Sequence, residues 1–199
     1  MTYSIIGIDS LTKTIGIAVT SGSLGVGTRV PWVERSVGAI ATQAYTNIMY
    51  GVEGLKLLRK GYPPSKVLMI LLEKDLDREK RQVGVMDIFG RKAVWTGSKC
   101  PEWRGHLIGD DYIILGNLIT GSEVLESMKE AFTNTTGSLL KRLLEALIAG
   151  EEAGGDRRGD RSAAIVIRGE IEITEMIYSA PQPAYKLYQQ CKRKYEILF

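Results

Sequence analysis

Histidine is almost missing from this chain: His106 is the only one in 199 residues. A single imidazole argues against most histidine-based metal sites and against a Ser-His-Asp triad, and no G-x-S-x-G elbow supports one. His106 therefore reads as a surface or packing residue. Cysteine is also scarce. Cys100 and Cys191 cannot build a disulfide framework, which favours a reducing compartment and a cytoplasmic expectation. The longest purely apolar run, Val67 to Leu72, is too short to span a bilayer. The opening MTYSIIGIDS has no positive segment and turns acidic at Asp9, unlike a signal peptide. Charge of one sign is lacking too. The net +3 comes from Lys186, Lys192, Arg193 and Lys194 against Glu196, leaving 22 residues of each sign elsewhere. A basic tail without a basic stripe on the fold excludes a nucleic-acid partner, and no membrane partner is expected.

What is present is a core. Hydrophobic residues make up 44%, enough for a single domain over 1–199, with 184–199 a basic C-terminal helix. Tyr3 to Asp9 and Ile15 to Val19 read as a hairpin, and Val37 to Thr42 as a third strand. Val52, Leu55 and Leu58 mark a helix capped by Gly61, and Pro63-Pro64 start another over Ser65 to Lys74. Strands follow at Gln82 to Ile88, Lys92 to Thr96 and Tyr112 to Leu118. Thr120 and Glu123 form a capping box for a helix through Phe132. Ser138 caps a second, with Gly150 past its end. A strand from Ala163 to Arg168 precedes the last helix. Strand pairs alternate with helix pairs, not strand with helix, so the fold class is α+β. Two mainly antiparallel sheets, each covered by a helix pair, give a four-layer αββα sandwich; one sheet with helices on both faces is the open alternative. The apolar helix at 65–74 lacks a solvent face, which predicts a homo-oligomer.

Gly22 to Gly27 has phosphate-loop spacing, but Thr28-Arg29 replaces the required lysine and hydroxyl, so it reads as a turn. The loop from Gly150 to Ser162 sets Asp156 and Arg158 among glycines, where an arginine fork can meet a carboxylate or phosphate or form internal ion pairs. Gln43, Asn47 and Asn117 are amides at strand ends, able to orient a substrate or to satisfy stray backbone groups. Thr2 fits a mechanism without histidine. With Met1 removed, its hydroxyl can be activated by its own α-amine, a base with a reference pKa of about 7.7–8.0.

The stretches MTYSIIGID, IGIAVTS, VGAIATQAYTN, GLKLLRKG, RQVGVMD, TGSKC, Gly116-Asn117 and AGGDRRGDRSAAIVI, in this order, resemble the uncharacterised N-terminal-nucleophile (Ntn) hydrolase-like family catalogued as domain of unknown function 1028. The resemblance implies an Ntn-hydrolase-like fold and directs attention to Gln43, Asn47, Arg81, Gln82, Thr96, Asn117, Asp156, Arg158 and Ser162 as a shared pocket. It brings no reaction. Two functional readings follow. The first is an N-terminal-threonine amidohydrolase for a small carboxylate-bearing substrate, with Thr2, Asn117 and Asn47 catalytic and Gln43, Arg81, Asp156 and Arg158 binding substrate. The second is a non-catalytic small-molecule binding or scaffold protein on the same fold. Neither calls for a metal or a cofactor.

Overall fold

The computed structural model describes residues 2–199; Met1, and with it whether the initiator is retained, lies outside the described residues. Strands β1 (Thr2–Asp9) and β2 (Thr14–Ser21) form the expected hairpin, pairing Thr2 with Ser21 at its open end. Its turn is tied by the Asp9 carboxylate, which accepts the Leu11 and Thr12 N–H groups. After β3 (Pro31–Glu34) and β4 (Gly38–Ala44) come helices α1 (Met49–Arg59) and α2 (Pro64–Glu73). Strands β5 (Arg81–Asp87), β6 (Lys92–Thr96), β7 (Arg104–Ile108) and β8 (Tyr112–Asn117) follow. Helices α3 (Glu123–Asn134) and α4 (Leu139–Glu152) precede β9 (Ser162–Arg168), β10 (Ile173–Ile177) and α5 (Pro183–Lys194).

The protein is α+β, with two antiparallel sheets and five α-helices among the described residues. One sheet has six strands in the order β10-β9-β2-β1-β8-β7, and the other has four, β3-β4-β5-β6. Side-chain alternation along each strand assigns its two faces to different cores. On β1, Tyr3 and Ile5 pack with Phe132 of α3 and Leu143 of α4, while Ile6 and Ile8 join Ala39, Ala41 and Met86 of the four-stranded sheet. The other face of that smaller sheet, through Ile40, Val83 and Val85, packs with Leu58 of α1 and Val67 of α2. The helix pairs thus contact the two sheets separately, and a further apolar cluster is shared between the sheets.

Several local expectations need correction. The Thr120 box does not form: the Thr120 hydroxyl turns to the Ala153 carbonyl, and α3 begins at Glu123 with no side-chain cap. Gly150 lies inside α4, where a Cβ would meet Met128 and the Tyr3 ring at 2.9 Å. A glycine there permits close helix-to-sheet approach and does not end the helix. On helix α2, Pro64, Val67, Leu68 and Leu71 are buried within the chain, while Met69 stays 41% exposed. The Ser138 cap forms as expected, accepting the Lys141 N–H. The basic helix α5 is latched to β10: Glu175 is 8% exposed and receives hydrogen bonds from Gln190, Lys194 and Tyr195. Those partners hold its carboxyl below the ordinary range although burial pushes it up. No helix among the described residues is long and apolar enough to cross a membrane.

Candidate functional site

Between the sheets the lining is apolar until it reaches the end where β1 starts. There the inward-facing positions become Thr2 and Ser4 on β1, Ser21 on β2, Gln43 on β4, Gln82 on β5 and Asn117 on β8. Cross-strand pairing brings them into line: Thr2 faces both Ser21 and Asn117, and Gln43 faces Gln82. Thr2 is 5% exposed, and Ser4, Ser21, Gln43, Gln82 and Asn117 are fully buried.

Burial at this level requires partners, and the amides supply them. The Thr2 hydroxyl donates to Ser21 Oγ at 3.2 Å. The Thr2 carbonyl accepts from Gln43 Nε2 at 3.2 Å and Asn117 Nδ2 at 3.3 Å. Both amide nitrogens also donate to Gln82 Oε1, at 2.8 and 3.0 Å, and Ser4 Oγ donates to Gln43 Oε1 at 2.7 Å. Gln82 Nε2 in turn contacts Thr96 Oγ1 and the Gly105 and Gly116 carbonyls, linking the two sheets. Thr96 Oγ1 lies 3.0 Å from Nδ1 of His106, whose pKa is lowered by partial burial of the ring. One acceptor is left over. Asn117 Oδ1 is buried with no partner, and such an atom costs roughly 1–3 kcal/mol.

The glycine-rich turn after α4 reaches the same end. Asp156 is bridged to Ile119, two residues beyond Asn117, and its carboxylate accepts the Gly22 N–H next to Ser21 at 2.8 Å. Arg158 grips that carboxylate in a fork, Nε to Oδ1 at 3.0 Å and one terminal nitrogen to Oδ2 at 2.9 Å, and also reaches Ser23 Oγ. The Arg158 side chain is 42% exposed while that of Asp156 is sealed. Burial pushes the Asp156 carboxyl up, against the Arg158 and Gly22 N–H groups that lower it, and burial also lowers Arg158. Beneath the turn, Asp160 accepts the Tyr3 hydroxyl at 2.6 Å and the Asp156 N–H at 3.1 Å. Burial raises its carboxyl to about 6. Gly155 must be glycine: its φ is +52°, and a Cβ would sit 2.2 Å from Asp160 Oδ2.

The structure therefore brings together Thr2, Gln43, Asn117, Asp156 and Arg158. It does not bring in Arg81 or Asn47. Arg81 immediately precedes the inward-facing Gln82, so alternation turns it to the helix-covered face, where it pairs with Asp75 at 2.8 Å and donates to the Tyr45 carbonyl. That partner holds the Asp75 carboxyl down at about 2. Asn47 lies past the end of β4, where its side-chain oxygen accepts the Met49 N–H at the start of α1. Asn47 and Asp75 line a separate groove of about 240 Å³ between α1 and α2. Ser21, Tyr3 and Asp160 were not singled out in the sequence. The signal for Ser21 was available, because the hairpin register pairs it with Thr2. No group of three or more His, Cys, Asp or Glu among the described residues is placed to hold a metal ion. Both cysteines are buried, and burial pushes Cys100 up to about 11 and Cys191 to about 12.

These features define an α+β protein with a polar cluster at one end of the space between two antiparallel sheets, centred on Thr2. Residues 2–187 match the family described as "Family of unknown function (DUF1028)", and the chain belongs to it. A similar solved structure is the crystal structure of protein SPO2555 from Silicibacter pomeroyi, assigned to the same family, at 34% identity and TM-score 0.89, covering 96% of this chain and 86% of that one. Anbu (ancestral beta-subunit) from Yersinia bercovieri is far more distant, at 9% identity and TM-score 0.43 over 98% of this chain and 95% of that one. No curated protein matches.

Proposed function

We propose that this protein is an N-terminal-threonine hydrolase acting on an amide bond of a small carboxylate-bearing substrate, on a four-layer αββα sandwich of the Ntn-hydrolase type. The three apolar clusters support the layering: one joins α3, α4 and α5 to the six-stranded sheet, one is shared by the two sheets, and one joins the four-stranded sheet to α1 and α2. The observation that carries the function is the treatment of Thr2. Two buried amides, Gln43 and Asn117, hold its backbone carbonyl, and a third, Gln82, fixes both of them. Fixing the backbone of one residue in this way supports the reading of Thr2 as a preorganised nucleophile.

Once Met1 is removed, Thr2 Oγ1 attacks the substrate carbonyl carbon while the α-amine takes the hydroxyl proton. The amine then gives that proton to the leaving nitrogen as the C–N bond breaks, leaving an ester on Thr2. Water, deprotonated by the same amine, cleaves the ester and restores the hydroxyl. Arg158 at the mouth of the cluster suits the substrate carboxylate, with Asp156 holding the fork when no ligand is bound. Both Asn117 amide hydrogens have acceptors, so its donor end serves Thr2 and not an oxyanion.

Intact mass of protein isolated from its natural host, followed by labelling with a β-lactone electrophile, tests this reading. The expected result is loss of Met1 and a single adduct on Thr2 that Thr2→Ala abolishes. Met1 retained quantitatively in protein from its own host would sink it. The low exposure of Thr2 and its bond to Ser21 favour the second reading, a binding or scaffold protein that keeps Met1 and takes a carboxylate or phosphate at Arg158. A homo-oligomer belongs to either reading. The half-exposed Met69 lines, with Leu72 and Trp95, an apolar groove between α2 and β6 that a second copy would cover.

A further inference from the structure

Asn117 is the one member of the cluster with an unused hydrogen-bonding atom. Its amide cannot flip to relieve that atom, because Nδ2 faces two oxygens, the Thr2 carbonyl and Gln82 Oε1. Gln82 cannot flip either, since its own Nε2 faces three oxygens: Thr96 Oγ1 and the Gly105 and Gly116 carbonyls. The orientation of Asn117 is thus dictated through Gln82 from the opposite sheet, and the leftover atom is an acceptor, Oδ1, at zero exposure. An orphaned buried acceptor calls for an N–H or O–H donor. The neighbouring hydroxyl is committed, Thr2 Oγ1 pointing to Ser21. Directly across the β1–β8 ladder from Asn117 stands Thr2 itself.

We propose that Asn117 Oδ1 receives the α-amine of Thr2 when that amine is free, and that Gln82 is the positioning residue that aims it. The inference rests on the reading of Thr2 as nucleophile and deepens it by assigning the group that orients the base. A carbonyl oxygen accepting from the amine favours its ammonium form and fixes the direction of its lone pair on deprotonation. The groups facing this point from β4 and β5 are the neutral Gln43 and Gln82. The charged groups nearby are the Asp156–Arg158 pair beside Gly22 and Arg104 of β7, which lies across from Asn117 and pairs with Glu102.

The test uses the full chain made to start at Thr2 by proteolytic removal of an added leader, so that it does not depend on how the natural host treats Met1. The amine pKa is read from the pH dependence of its acylation by acetic anhydride, followed by peptide mass. Asn117→Ala and the near-isosteric Asn117→Leu are each expected to lower it by about one unit, because the ammonium loses its carbonyl acceptor. Gln82→Met should lower it partway, since Asn117 is then free to turn. Where Asn117→Ala does not fold, Asn117→Leu and the Gln82 variant carry the comparison, with melting curves run alongside. Cooperatively folded variants whose amine pKa equals that of the unsubstituted chain would overturn the assignment, whether or not Thr2 proves to be a nucleophile.

Discussion

At the scale of single residues, charge and burial are set against each other around the turn after α4. Asp160 holds the Tyr3 hydroxyl beneath that turn, and burial raises its carboxyl to about 6. A carboxyl whose pKa is higher folded than unfolded keeps its proton longer in the folded chain. Its contribution therefore weakens stability as pH rises from about 4 to about 6, by on the order of 2–3 kcal/mol. Asp160→Asn removes the titration at the expense of one of the two accepted hydrogen bonds. Urea midpoints measured from pH 4 to 7 should fall for the natural chain relative to the variant across that window. Parallel curves would show that Asp160 does not titrate there. Arg158→Lys is a second test at this scale. Lysine keeps the charge but not the fork that engages both oxygens of Asp156, so inorganic phosphate or small-carboxylate binding should weaken about tenfold by titration calorimetry. Equal affinity would remove Arg158 from the ligand site.

At the scale of elements, every central strand was legible in the sequence, and of the four edge strands only β6 was. The strands it missed are β3, β7 and β10, and each lies at the edge of a sheet. Edge strands carry polar and half-exposed residues that blur the alternation, as in RGHLI of β7 and PWVE of β3. The site was readable to the same degree. Gln43 and Asn117 were singled out by residue type at strand ends, but which of two adjacent residues faces inward, Arg81 or Gln82, depends on strand parity across unseen sheets. The Thr120 box failed because α3 starts two residues later than the box requires, leaving the Thr120 hydroxyl to meet the Ala153 carbonyl. Helix α1 offers a prediction about packing. A Cβ at Gly51 would lie 2.1 Å from Cγ of Trp32 on β3. In an exposed helix Gly→Ala stabilises by about 1 kcal/mol. Here Gly51→Ala should instead cost roughly 1–3 kcal/mol, read as a lowered melting temperature. A raised one would mean that the indole moves aside freely.

For the whole molecule, the proposed assembly and the latch of α5 are the features with reach beyond the fold. A homo-oligomer closing over Met69 should sediment above the monomer mass at micromolar concentration, and Met69→Lys should return it to monomer. A stable monomer for the natural chain would leave α2 covered only by its own chain. The latch bears on kinship. The family match ends at residue 187, yet Lys194, which neutralises the buried Glu175, and Gln190 and Tyr195, which donate hydrogen bonds to it, all come after it. A carboxylate left in that setting without its cation would be strongly destabilising. Position 175 and positions 190, 194 and 195 should therefore drift together through evolutionary time: lineages that lose the terminal helix should also have exchanged the acid on β10 for a neutral side chain.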